Sequence, residues 1–288
     1  MKRRLLASLF AVAVMHAADL RVVGTDLLGV EFSKALYAFA GSAEISLALA
    51  FDGSRPGLEE LKAGRANLGL IVFAPGEEAG ATMFERLPLA YHRAVILVPA
   101  NCPLDQLTLE QLDGVFGVGG PLVLTRWGQL GVVDPAWSSS EIAPHAPAVG
   151  TGLIVEYFRH AALGHRAIRA DVRRYDAPAE LSPRLIGESR AIALAAAAPG
   201  GANRPKLVAI SLRAGEPAFL PTQENVHSGD YPLRLPLSLV FRRESAAALR
   251  PLLRFLLSDS AVVLFERASL APLPESARRQ QVLALEKM

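Results

Sequence analysis

One cysteine, Cys102, in 288 residues excludes an intrachain disulfide and any thiolate-rich zinc or iron–sulfur centre. Charge of one sign is also lacking: 30 Lys and Arg stand against 28 Asp and Glu, for a formal net charge of +2. The arginines are scattered rather than striped, so the chain has no field with which to hold nucleic acid. Charged residues make up only 20% and broadly apolar ones 51%, which excludes a disordered chain that solvates itself. Beyond the N-terminal segment no apolar run reaches the ~18 residues of a membrane span. After His16 the histidines are His92, His145, His160, His165 and His227, and no two stand at the i, i+4 spacing of a helix-borne zinc site. No metal is expected. A Gly-rich nucleotide loop ending in Lys-Ser or Lys-Thr and a dinucleotide fingerprint are both missing, so no cofactor is expected. Gly187-Glu188-Ser189-Arg190-Ala191 shares part of a hydrolase elbow, but an elbow needs a strand before it and a helix after. Here Pro183 precedes and an Ala-rich, strand-like run follows, and we expect no enzyme.

What is present begins with a leader. Lys2, Arg3 and Arg4 precede the apolar run Leu5 to Met15, which ends at the small residues Ala17 and Ala18. A positive head, a short apolar stretch and a small-residue end define a secretory signal, here residues 1–18, and the run is too short for a span of about 20 residues. Met15 or His16 departs from the small residue usual at the third position before the cut. The mature chain is expected in the periplasm or another extracytoplasmic space.

Leu20 to Val23 reads as a strand, Gly24-Thr25-Asp26 as a turn, and Phe32, Ala35, Leu36 and Phe39 as one face of a helix. Ile45 to Phe51 is the next strand, Asp52 to Gly57 a turn, Leu58 to Ala63 a helix closed by Gly64, and Leu68 to Phe73 a third strand. That order is β-α-β-α-β, the pattern of a mostly parallel sheet covered by helices. Long apolar strands follow at Pro88–Val98 and Leu233–Phe241. Between them lie a helix over Leu107–Phe116, a loop-rich stretch from Trp127 to Pro147, a helix after Gly150-Thr151-Gly152, and strands at Ile192–Ala198 and Leu207–Leu212. Helices over Glu244–Leu257 and Ser276–Lys287 close the chain.

Three turns share one physical character. Gly stands with a hydroxyl residue, Thr25, Ser54 or Thr151, at the start of a helix, where free N–H groups and the positive dipole end receive an anion. The alternative duty of each hydroxyl is to cap its own helix.

The runs Val22-Val23-Gly24-Thr25-Asp26 and Phe51-Asp52-Gly53-Ser54-Arg55-Pro56-Gly57, continuing through Gly64-Arg65-Ala66-Asn67-Leu68-Gly69-Leu70, resemble the first lobe of the phosphate-binding proteins of phosphate ABC importers. Val95 to Val98 with Leu107-Thr108-Leu109-Glu110-Gln111-Leu112, Trp127-Gly128-Gln129-Leu130-Gly131, the Gly150-Thr151 turn and Gly229-Asp230-Tyr231-Pro232-Leu233 are similar to further family landmarks in the same order. The resemblance implies an α/β, bilobal periplasmic-binding-protein-like (type II) fold, two α/β lobes joined by two crossover strands. Lobe I would be residues 19–93 plus 234–288, lobe II residues 94–233. It further implies a monomer that binds a small oxyanion between the lobes and meets an ABC permease.

Carried over position by position, the resemblance assigns the cleft to Thr25, Asp26, Ser54, Arg55, His145, Gly150 and Thr151. Ser54 and Thr151 match the family's phosphate-contacting hydroxyls, and Asp26 is expected to cap its own helix. Val72 stands where the family has a proton-accepting aspartate, His145 where it has an arginine, and Val149 where it has a serine. His145, Arg55 or Arg126 would then supply the cation. The alternative is a binding-protein fold without tight phosphate binding that serves another small ligand or a protein, with Trp127, Trp137 and Ser138 to Ser140 as a protein-facing surface. Mass spectrometry of the extracytoplasmic fraction should find a mature chain beginning near Ala18 or Asp19; an intact, cytoplasmic chain retaining Met1 would exclude export.

Overall fold

The computed structural model describes residues 20–73, 83–148, 153–181, 185, 190–200 and 204–288. The expected leader and the Gly187–Ser189 segment lie outside them. Strands β1 (Leu20–Gly24), β2 (Leu47–Ala50) and β3 (Leu68–Val72) are parallel, with β1 between the other two. Their connections carry helices α1 (Gly29–Ser42) and α2 (Ser54–Lys62). All five residues of β3 are buried, as expected of a strand covered on both faces. β4 (Phe84–Arg93) and β12 (Arg234–Arg242) add antiparallel strands, and β13 (Ala271–Pro272) closes the edge, giving the order β13-β4-β12-β3-β1-β2.

The second sheet runs β10-β5-β9-β7-β8, from β5 (Val95–Val98), β7 (Ala143–Pro147), β8 (Arg173–Tyr175), β9 (Ala191–Ala195) and β10 (Lys206–Leu207). β7 is parallel to both β8 and β9. A small parallel pair, β6 (Gln106–Thr108) and β11 (Ala209–Ser211), stands beside it. Helix α3 (Leu109–Phe116) begins at a capping box between Thr108 and Gln111. α4 (Pro135–Ser138), α5 (Leu153–Leu163) and α6 (Gln223–Ser228) follow. The chain ends in α7 (Ala246–Leu256), α8 (Asp259–Arg267) and α9 (Glu275–Leu285), which return to the first sheet. Phe39 of α1 stacks on Phe255 at 4.3 Å, and Phe32 meets Phe265 at 5.6 Å. Among the described residues no helix is long and apolar enough to cross a membrane.

Several expectations change in detail. Pro88–Val98 is two strands in two sheets, broken at Ala94, because the chain passes there from one sheet to the other. The stretch Trp127–Pro147 is not loop: it holds a 3-10 turn at Trp127–Leu130, α4 and β7. Trp127 and Trp137 are buried, edge to face at 5.2 Å, with the Arg190 guanidinium over the Trp137 ring. They form core rather than a protein-facing surface. α2 starts at Ser54 instead of Leu58, since Pro56 in a first turn gives up an N–H that has no acceptor within the helix. α8 was not expected; its short apolar face, Ala261 and Phe265, is masked in the sequence by adjacent Val262 and Val263.

The two passages between sheets are bonded to each other. Ala94 N–H donates to Leu233 O at 3.0 Å, and the buried Tyr231 hydroxyl donates to Ala94 O at 2.6 Å. In the first sheet, two glycines bring backbones into direct contact. A Cβ on Gly57 would lie 2.9 Å from Gly24 Cα, and one on Gly24, whose φ is +145, would lie 2.1 Å from Leu70 O. Gly57→Ala is therefore expected to destabilise the protein by about 2 kcal/mol, because backbone would have to move. Gly41→Ala, in open space in the last turn of α1, should stabilise by about 0.4–1 kcal/mol. Urea denaturation of both variants tests the contrast.

Candidate binding cleft

The Gly24–Gly57 contact sets the first turn of α2 on the carboxyl end of β1. Gly53 N–H donates to Gly24 O and Thr25 N–H to Leu70 O, both at 2.9 Å. Ser54 Oγ accepts from Val72 N–H at 3.0 Å, tying α2 to the end of β3. Ser54 thus caps no helix: the residue before α2 is Gly53, and the hydroxyl hydrogen of Ser54 stays available to a ligand. Thr25 does cap, its Oγ1 accepting from Leu27 N–H at the start of a 3-10 turn over Asp26–Leu28. This corrects the expectation for Asp26, which is exposed in that turn while its neighbour does the capping.

These residues open on a cavity of about 440 Å³. Thr25, Asp26, Leu27, Ser54, Arg55, Val72 and Phe73 line one side. Leu153, Glu156, Tyr157, His160, His165 and Leu235 line the other. The cavity thus lies at the carboxyl ends of β1 and β3, where ligands of open α/β sheets bind, and faces α5. A second cavity of about 330 Å³ lies on the other side of α5, at the ends of β7, β8 and β9, with Asp176 and Glu266 as its carboxylates.

Tyr157 of α5 is buried, and burial pushes its phenol well above the usual range. Its hydroxyl donates to Arg234 O at 2.6 Å, joining the cleft helix to β12. Arg234 donates to the carbonyls of Val226 and His227 at 2.6 and 2.7 Å. His227 Nδ1 lies 3.2 Å from the Tyr91 hydroxyl, and desolvation together with Arg234 lowers the pKa of that histidine. Also on the cavity wall, His160 Nδ1 and His165 Nε2 are 2.9 Å apart.

Residues 16–260 match the PBP superfamily domain. The chain belongs to that superfamily. This PBP-superfamily chain is 24% identical over 195 residues to Protein SphX of Synechococcus elongatus, a match covering 66% of the chain and 56% of that protein. It therefore spans little more than half the length of that curated relative. Among solved structures it is similar to a possible phosphate binding protein from Planctomyces limnophilus, at 18% identity and TM-score 0.68, covering 94% of this chain and 98% of that one. PstS from Borrelia burgdorferi matches at 12% identity and TM-score 0.69, covering 88% and 98%. An ABC-type phosphate transport receptor from Vibrio cholerae matches at 18% and 0.59, covering 89% and 100%. The likeness shows the bilobal α/β fold.

Of the residues assigned from sequence, Thr25, Asp26, Ser54 and Arg55 come together in the cleft, with Val72 beside them. Gly150 and Thr151, like Val149, lie outside the described residues. His145 is not a loop histidine: it is fully buried within β7, paired in register with Arg173 and Ala193, and does not line the cavity. Arg126 likewise does not line it. The sequence reading missed His160, His165 and Tyr157. The first two stand five positions apart, a spacing no helical template selects, and only a turn after α5 brings their rings within 4.4 Å. Ser54→Ala should cost about 1–2 kcal/mol of stability by leaving the Val72 N–H without its acceptor; chemical denaturation measures it, and an unchanged midpoint would show that this bond contributes nothing.

Proposed function

We propose that the protein is an exported solute-binding protein that takes an oxyanion, phosphate or similar, in the interlobe cleft and presents it as a monomer to an ABC permease. The observation that carries this reading is the convergence of Thr25, Ser54 and Arg55 with the start of α5 around one cavity. The first turn of a helix offers N–H groups without intrahelical acceptors and a positive dipole end, and Arg55 adds a cation beside them. The superfamily membership and the phosphate-binding proteins among its structural relatives point the same way. The lobe limits at residues 93 and 234 fit the sheet membership of β4, β5 and β12.

Inorganic phosphate is expected to bind weakly. Val72 offers no acceptor for a phosphate proton, and His145 offers the cleft no cation. Removing one partner of a buried, hydrogen-bonded charge pair costs about 2–5 kcal/mol, or roughly one and a half to three and a half decades in affinity. The apolar lining of the cleft favours the alternative of another small ligand over a protein partner, because both tryptophans proposed for a protein-facing surface are buried. Calorimetric titration with phosphate and sulfate at neutral pH should give dissociation constants in the micromolar range or weaker, with about a ten-fold further loss in Arg55→Ala. Binding of phosphate at nanomolar concentration, unaffected by Arg55→Ala, would contradict this account of the site.

A further inference from the structure

The turn after α5 is closed by four hydrogen bonds. His165 N–H donates to Arg159 O at 2.9 Å and Arg166 N–H to Leu163 O at 3.1 Å. The Arg159 side chain adds bonds to Arg166 O at 3.0 Å and His165 O at 3.1 Å. Together they hold Gly164 and His165 in left-handed backbone, at φ 54 and 67. A β-carbon-bearing residue keeps that conformation where its surroundings impose it. The consequence is a fixed meeting of two imidazoles: His160, in the last turn of α5, brings Nδ1 to within 2.9 Å of His165 Nε2. The chain has no histidines at the helical i, i+4 spacing, and this turn supplies at i, i+5 a pair that the helix does not.

The two rings do not stand as an in-line hydrogen bond would place them. Bonds of about 1.3–1.4 Å put a ring nitrogen about 1.1 Å from its ring centre, so a straight N–H···N bond of this length would hold the centres about 5.1 Å apart. They are 4.4 Å apart, with the planes at 73°. A shared metal ion accounts for both distances. At metal–nitrogen lengths of about 2.0–2.1 Å, two imidazoles at right angles stand about 2.9 Å apart between nitrogens and about 4.5 Å between centres, whereas a tetrahedral angle requires about 3.3 Å and about 5.1 Å. The observed pair matches the right-angle values, the geometry of Cu(II) and Ni(II) rather than of tetrahedral zinc. Donor chemistry agrees. A neutral imidazole carries its proton on either nitrogen, so both facing nitrogens can present lone pairs without either ring losing its proton. The cations beside the pair are engaged, Arg159 with Glu156 at 2.8 Å and Arg166 with Asp113. His165 is exposed and both rings line the cleft cavity, which gives an ion a path from solvent. Among the described residues no group of three or more His, Cys, Asp or Glu side chains could hold a metal, so the other positions on the ion fall to water.

We infer that His160 Nδ1 and His165 Nε2 form a divalent-metal site, as adjacent ligands at right angles on a Cu(II) or Ni(II) ion whose remaining positions hold water. This site goes beyond the oxyanion reading of the cleft and does not depend on it. Titration of the tag-free mature chain with CuCl2, followed by calorimetry and by electron paramagnetic resonance, tests it. One Cu(II) per chain should bind, with the superhyperfine pattern of two imidazole nitrogens. Two single variants remove one ligand each: His160→Gln, whose side chain takes no part in the bonds that close the turn, and His165→Asn, since asparagine tolerates left-handed backbone. In each, Cu(II) affinity should fall at least about ten-fold and the two-nitrogen pattern should disappear, while the urea midpoint stays at the parent value. In competition Ni(II) should displace Zn(II) from the parent chain. Absence of Cu(II) binding, or Cu(II) held equally well by the double variant, would overturn the site; preference for Zn(II) over Ni(II) would overturn its right-angle geometry. Phosphate titration of the same chain reads the oxyanion site separately.

Discussion

The cleft depends on one backbone contact. Gly57, in the first turn of α2, approaches Gly24 at the end of β1 so closely that it has no room for a β-carbon, and at Gly24 the Leu70 carbonyl takes that room. From that approach follow the Gly53–Gly24 hydrogen bond, the seating of Ser54 on Val72 N–H, and the placing of Arg55 at the cavity mouth. A helix that starts this near a strand end directs its free N–H groups at the carboxyl edge of the sheet. That geometry explains why hydroxyl residues at Thr25 and Ser54, far apart in the chain, can face one ligand.

The second constraint is the joining of the lobes. Two passages between sheets are bonded through Ala94, Leu233 and Tyr231, and Tyr157 reaches from α5 to Arg234 at the start of β12. All these donors and acceptors are buried or half-buried, where an unmet polar group is costly. α5, whose side chains form one wall of the cleft, is thus linked by a hydrogen bond to the start of β12, the strand that follows the second passage between sheets. Hinge closure of a two-lobed protein needs a few residues at its crossings to absorb the backbone change, and here those residues are held by the Ala94–Leu233 backbone bond and by the hydroxyls of Tyr231 and Tyr157.

In chemistry the cleft keeps part of what a phosphate site needs and replaces the rest. Hydroxyls and an arginine remain, while valine stands where an acceptor is expected and the histidine assigned from sequence is spent in a β-sheet. Arg159 shapes the turn after α5, where His160 and His165 meet on the cavity wall.

Much of this was legible in residues alone. The β-α-β-α-β order of the first lobe follows from local signals, since apolar spacing, glycine turns and capping residues act within a few positions, while the grouping of Thr25, Ser54 and Arg55 was implied by the family resemblance. What only the tertiary structure decided involves distant partners. Ala94 breaks an apparently continuous apolar strand because its two halves pair with different sheets. His145 is buried because β8 and β9 close around it, and no pattern near it says so. His160 and His165 meet because a left-handed turn, clamped by Arg159, overrides the spacing of the helix. A sequence states which residues prefer helix, strand or turn; which side chains share a cavity depends on contacts between elements, and those exist only once the sheets have assembled.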